Sequence, residues 1–144
     1  SFLRLCSTTP GVQHFNYAMA GVPGRAALNL SEVPSCNMLD ARPNRPTGEV
    51  TPCDCVTLPG FMLQYNIERV DILKLDCEGQ EGAILESCPA ATLARLRYIT
   101  GEWHGPEQAD RVAATLAVTH DVEWVTLKPG RGYFYAHKSL TPLQ

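Results

Sequence analysis

The sequence predicts an α/β fold whose sheet is partly parallel and closes with an antiparallel edge. Three observations carry this. From Val70 to Thr119 the pattern runs strand, helix, strand, helix, the order that builds parallel strands through a crossover helix. Further on, "KPGRG" separates two runs rich in β-branched and aromatic residues, as a hairpin turn does. Finally, the strand "VDILKL" runs straight into Asp76 and Glu78, so a buried element ends in carboxylates. The 144 residues, 44% apolar and 19% charged, suit a single domain over residues 1–144 with one core.

Taken in order, "SFLRLC" reads as the end of a helix, and "VQHFNYAMAG" as a strand stopped by glycine. "GRAALNLS" follows a Pro-Gly turn and reads as an antiparallel partner of that strand. Residues 31–49 hold three prolines among turn formers and read as an irregular surface loop. "VTPCDCVTL" is a short strand, with Pro52 limiting it to an edge or to its start. "PGFMLQYNI" reads as a short helix. "VDILKL" is a strand, "QEGAILESC" a helix, and "AATLARL" a second helical stretch after Pro89. "RYITGEW" is the next strand. "PEQADRVAATLAVT" is a helix with Pro106 in its first turn and Glu107 and Asp110 toward the positive end of its dipole. "VEWVTLKPGRGYFYAHK" gives the two strands of the hairpin.

The net charge of −3 with no basic cluster argues against a nucleic-acid partner, and no apolar run approaches the length of a membrane span. The chain begins at Ser1, and "SFLRLCSTTPG" is too short and too polar for a secretory signal. The start was therefore processed, or the chain is a piece of a longer one. Cys6, Cys36, Cys53, Cys55, Cys77 and Cys88 do not follow zinc-knuckle spacing, and the chain is unlike a small stapled scaffold. They read as free thiols in a reducing compartment, which points to the cytoplasm.

Side chains alternate along a strand, so Ile72, Lys74 and Asp76 share one face. In "ITGEWHG", Thr100, Glu102 and His104 share a face, and Trp103 lies on the opposite one, toward the core. In open α/β sheets the carboxyl ends of strands line the ligand crevice. Parallel pairing of the two strands would bring Asp76, Glu78, Glu102 and His104 to one edge, and titratable groups gathered there point to a reaction site. Structural roles compete with this reading. Asp76 could cap the following helix, Glu78 could sit in its first turn, Glu81 reads as a solvated helix residue, and Lys74 as an ion-pair partner of Asp76 or Glu102. His104 fits a general base, a metal ligand or a surface residue. Carboxylates with a histidine would also suit a hard divalent cation. His14, His120 and His137 have no partner nearby in sequence.

"VDILKLDCEGQEGAIL", followed after twelve residues by "YITGEWHG", resembles the FkbM-type methyltransferases. Asp71, Lys74, Asp76, Glu78, Gly79, Glu81, Glu102 and His104 match that family's paired strand ends residue by residue. "NYAMAGVPGRAALNL" is similar to its stretch before a variable loop, and "VTPCDCVTLPGFM" to its lead-in to the signature strand. The resemblance implies a Rossmann-like class I methyltransferase sheet, partial and mostly parallel, with a carboxyl-terminal antiparallel hairpin. It implies methyl transfer from S-adenosylmethionine, typically to oxygen, with Asp76, Glu102 and His104 as catalytic candidates and Asp76 and Glu78 toward the donor. No metal is implied.

The family's glycine-rich cofactor turn and ribose-binding carboxylate have no counterpart here. "GVPG", "GQEG" and "GRG" do not follow a strand and open a helix as that turn must. The chain thus resembles the carboxyl-terminal part of the domain, from the third strand onward, and the expectation for it alone is weak donor binding or none. A non-catalytic remnant or partner domain is the alternative. The acceptor stays open among sugar hydroxyls, lipids, peptides and small metabolites, and the oligomeric state is not legible.

Overall fold

The computed structural model describes residues 9–30, 39 and 50–139. "SFLRLC" and the 31–49 loop, apart from Leu39, lie outside the described residues. Strands β1 (Ala18–Met19), β2 (Gly24–Asn29) and β3 (Val50–Val56) form a sheet in the order β1-β3-β2. β1 runs parallel to β3, and β2 runs antiparallel to it. The antiparallel β1–β2 pairing expected from the sequence is therefore not formed, because β3 stands between the two. β1 is also shorter than expected. Upstream of it, Phe15 spends its ring on Phe61 and Tyr65, at centroid distances of 5.0 and 4.5 Å. Pro52 falls inside a central strand, yet β1 reaches only Cys55 and Val56. Among the described residues, the strand at Pro52 is paired on the β2 side alone, which is the edge environment a residue without an N–H requires.

Helix α1 (Leu58–Gln64) starts where Thr57 accepts the N–H of Gly60 through its hydroxyl at 3.2 Å, with Pro59 in the first turn. Then come β4 (Val70–Leu75), α2 (Glu81–Glu86), α3 (Ala90–Leu93), β5 (Leu96–His104), α4 (Pro106–Leu116), β6 (His120–Lys128) and β7 (Arg131–Lys138). These strands form a second sheet ordered β4-β5-β7-β6. β4 and β5 are parallel neighbours, as expected. The sheet is not mostly parallel, however. β7 folds back from β6 and inserts beside β5, so both remaining pairings are antiparallel. The architecture is mixed α/β with two sheets.

One face of the larger sheet carries the core. Leu75, Ile99, Phe134 and Ala136 bury there against Ile84 and Leu85 of α2, Leu93 of α3, and Val112 and Leu116 of α4. Trp103 lies on this face and is buried, with Trp124 packed edge-on to it. Gly132 is required beside them, because a Cβ there would stand 2.0 Å from the Val125 carbonyl oxygen. The opposite face is open. Ile72, Tyr98 and Tyr135 lie on it, and Ile72 is 70% exposed.

His120, without a partner in the sequence reading, pins β6 to the start of β5. Its Nε2 must donate to the Leu96 carbonyl, at 2.9 Å, so Nδ1 of the neutral ring accepts from the Thr119 hydroxyl at 2.8 Å. Burial pushes its pKa below the ordinary 6.5, with the neighbouring His137 and Lys138 adding to the effect. The unfolded chain then takes up a proton before the folded one as pH falls. The stability contributed by neutral His120 is complete above pH 6.5 and is lost as pH falls through that value toward the depressed folded one. Urea unfolding between pH 8 and pH 5 should show this loss, and His120→Gln should flatten it. An equal slope in both proteins would refute the assignment.

Candidate active site

The two acidic strand ends meet at one edge. The β4–β5 register aligns Lys74 with Thr100 and Leu75 with Gly101, which carries Asp76 alongside Glu102. Three of the four expected groups come together directly. His104 Nε2 lies 3.5 Å from Glu102 Oε2 and 4.0 Å from Glu78 Oε2. Both ring nitrogens are shielded from solvent, and neither is aligned for a hydrogen bond. His104 therefore sits behind the carboxylates rather than open to a substrate.

Asp76 is placed differently. Its side chain is 50% exposed, and it accepts a 2.6 Å hydrogen bond from Lys74 Nζ. It does not cap α2, whose first turn has no side-chain cap. The Asp76 hydrogen bond holds the Lys74 ammonium above its ordinary pKa, and the charge of Glu102 adds to this. Lys74 thus links Asp76 electrostatically to the Glu102 group.

Arg131, not foreseen from the sequence, donates to Glu102 Oε2 at 2.6 Å. Glu102 raises the guanidinium pKa, first through that hydrogen bond, and Glu78 contributes at longer range. The antiparallel β5–β7 register puts Arg131 opposite His104. The hairpin that looked like a mere sheet edge therefore supplies a site cation. Asp76, Glu78 and Glu102 outnumber Lys74 and Arg131, so His104 apart the edge is net anionic.

The turn between β4 and α2 is strained and clasped. Glu78 has φ +50° and Gly79 φ +109°. Glycine adopts such backbone freely, whereas glutamate there costs about 1 kcal/mol. Glu78 precedes the first turn of α2, so the helix dipole does not explain it. Glu81 closes this turn. Its Oε1 accepts the Cys77 N–H at 2.8 Å and its Oε2 the Gly79 N–H at 2.9 Å. Glu81 is fully buried, which corrects the reading of a solvated helix residue. The signal was present: Glu81 heads the buried stripe of α2 with Ile84 and Leu85, and Gln108 heads that of α4 with Val112 and Leu116. A polar residue leading each of two facing apolar stripes marks a pair.

Among the described residues no group of three His, Cys, Asp or Glu is placed to hold a metal ion. Cys53, Cys55, Cys77 and Cys88 are free thiols. Burial raises the pKa of Cys77, at the same strand end, which works against a reactive thiolate. A cavity of about 670 Å³ lies at the far end of the sheet, lined by Arg69, Arg95, Arg97, Tyr98 and His137. None of the site carboxylates lines it, and its cations are partly spent: Arg95 binds the carbonyls of Ile67 and Glu68, and Arg69 pairs with Asp71. A smaller cavity of about 300 Å³ lies by the β1–β2 turn and is lined by Gly21, Cys55, Gln80 and Ala83.

The methyltransferase FkbM domain matches residues 8–136 of this chain. The chain belongs to the FkbM methyltransferase family. No curated protein and no solved structure matches it significantly. The match runs through both acidic strand ends and through Arg131, so all the site residues lie inside the FkbM domain. No helix among the described residues is long and apolar enough to cross a membrane.

Proposed function

We propose that this chain forms the acceptor side of an S-adenosylmethionine-dependent methyltransferase site that methylates an oxygen. The observation that carries the proposal is the parallel β4–β5 pairing, which gives one sheet edge both strand-end carboxylates in a chain of this family. Asp76 is the group open to an incoming hydroxyl, and it takes the hydroxyl proton as the new bond forms. Lys74 orients Asp76 through its hydrogen bond. Glu102, fixed by Arg131, and Glu78, set by the strained turn, orient acceptor and donor, with the His104 ring behind them, its Nε2 3.5 and 4.0 Å away. The net negative charge of the edge favours a sulfonium donor, which would supply the methyl group.

The described residues do not hold the whole donor. Glycine does lead from a strand into a helix at Gly79, between β4 and the six-residue α2, and at Gly105, between β5 and α4, but neither turn places two glycines ahead of its helix, and the strand-end carboxylates Asp76 and Glu102 are assigned here to the acceptor. The outer edge of β4 has no strand partner among the described residues, and the adjoining sheet face is bare. A Rossmann-like sheet completed by strands outside the described residues would cover both. On this reading the chain is one domain's acceptor half, working in the cytoplasm, where its thiols stay reduced.

The 144-residue chain alone should therefore bind S-adenosylmethionine weakly or not at all. Titration calorimetry checks this, and micromolar affinity would mean that the donor pocket is built from these residues.

A further inference from the structure

Between the two acidic strand ends lies a buried amide with no part in the proton transfer. Gln108 Nε2 donates to Glu81 Oε2 at 2.6 Å, and its Oε1 accepts the backbone N–H of His104. The orientation of the amide is fixed by chemistry. A carboxylate at Glu81 only accepts, and the His104 N–H only donates, so the flipped amide would face a clash at both ends. Glu81 in turn holds the N–H groups on either side of Glu78. A continuous hydrogen-bonded path thus runs from the β4–α2 turn, through Glu81 and Gln108, to the last residue of β5.

We propose that Gln108 is a positioning residue that makes the two strand ends one mechanical unit, so that Glu78 and His104 keep their spacing. Packing alone does not call for an amide here. The other buried positions of its stripe, Val112 and Leu116, are aliphatic, and a leucine would complete the stripe. What an aliphatic residue could not do is accept the His104 N–H and donate to the Glu81 carboxylate at once. The two helices involved are also tied at the surface by Arg111 and Glu86, so the amide is not needed to dock α2 on α4. The consequence for catalysis rests on the methyl-transfer reading, but the coupling does not.

Native-state hydrogen exchange on the 144-residue chain tests the coupling without any variant. The amides of Cys77, Gly79 and His104 should open together, with one opening constant and one denaturant dependence. Opening constants that differ more than about tenfold between the turn and His104 would overturn the proposal. In Gln108→Met, which keeps the length but removes both hydrogen bonds, protection at Gly79 and at His104 should each fall about tenfold. Amides of β7 around Phe134 should be unchanged. A fall at one end alone would show two independent turns. If this variant does not fold, the exchange pattern of the unmodified chain still decides.

A spectroscopic signature separates positioning from bulk stability. Glu81→Gln should shift the His104 backbone amide resonance, and the same change made in Gln108→Met should not. A shift of equal size in both backgrounds would refute transmission through Gln108. Should a form of the protein that carries its donor-binding strands show no donor-dependent methylation while this coupling holds, the methyl-transfer reading fails and the positioning inference stands.

Discussion

Asp76→Asn is expected to lower turnover by about two orders of magnitude or more, the usual loss when a positioned acid or base is removed. The test requires a form of the protein that carries its donor-binding strands. The amide keeps the size of the side chain and can still accept a hydrogen bond from Lys74, so substrate access is unaltered. What disappears is the ability to take a proton. Stability should hardly move. Asp76 is half exposed and does not cap α2, so its described partner is an exposed lysine, and such a pair is worth about 1 kcal/mol at most. Asp76→Ala should therefore also leave thermal unfolding nearly unchanged, unlike the removal of a helix cap. Turnover and unfolding measured on both variants separate the roles. A nearly unchanged rate in Asp76→Asn would take Asp76 out of the chemistry and leave Glu78 as the carboxylate nearest the shielded pair Glu102 and His104. Loss of rate with an equal loss of stability in both variants would assign Asp76 to the scaffold.

Local pattern made the second half of the chain legible. β4, β5, α4 and the hairpin follow from period, Pro106 and the "KPGRG" turn, and the parallel β4–β5 pairing follows from the intervening helical segment. Three site groups were legible for the same reason: a polar residue at the end of an apolar strand has a known place in such a sheet. The placement of β7 was not legible, because a hairpin's turn fixes its own register but not which of its strands joins the sheet. Arg131 was missed with it. Nor did the pattern reveal that β3 would separate β1 from β2, since a two-residue strand carries almost no periodic signal. Glu81 and Gln108 were missed for a different reason. A charged or amide residue in a helix is usually solvated, and only the pairing of two buried stripes reverses that expectation. His104 lies beside Glu102 and Glu78, where strand alternation put it. Its ring nitrogens face inward, though, and strand alternation alone does not reveal how deep a side chain lies.

Glu81→Ala is expected to destabilise the fold by about 3 kcal/mol, the largest loss of any single side chain discussed. Removing the carboxylate leaves the N–H groups of Cys77 and Gly79 and the amide of Gln108 without their acceptor. Each such donor, where water does not replace the partner, costs about 1–3 kcal/mol. The space left by the side chain admits some water at the half-buried turn, which keeps the total below the simple sum. Release of the strain at Glu78 offsets a small part of the loss, because its left-handed backbone is held through the N–H groups on either side of it. The turn should then relax, and Glu78 should move away from His104. Glu81→Gln should fall between wild type and Ala. One of its two terminal atoms still accepts, but the other is a donor that meets a donor. Urea unfolding of the three proteins measures the order. A solvated helix residue would change stability by about 0.5 kcal/mol or less in either variant. That outcome would remove Glu81 as the clasp of the turn, and with it the structural reason for a strained Glu78 at the site.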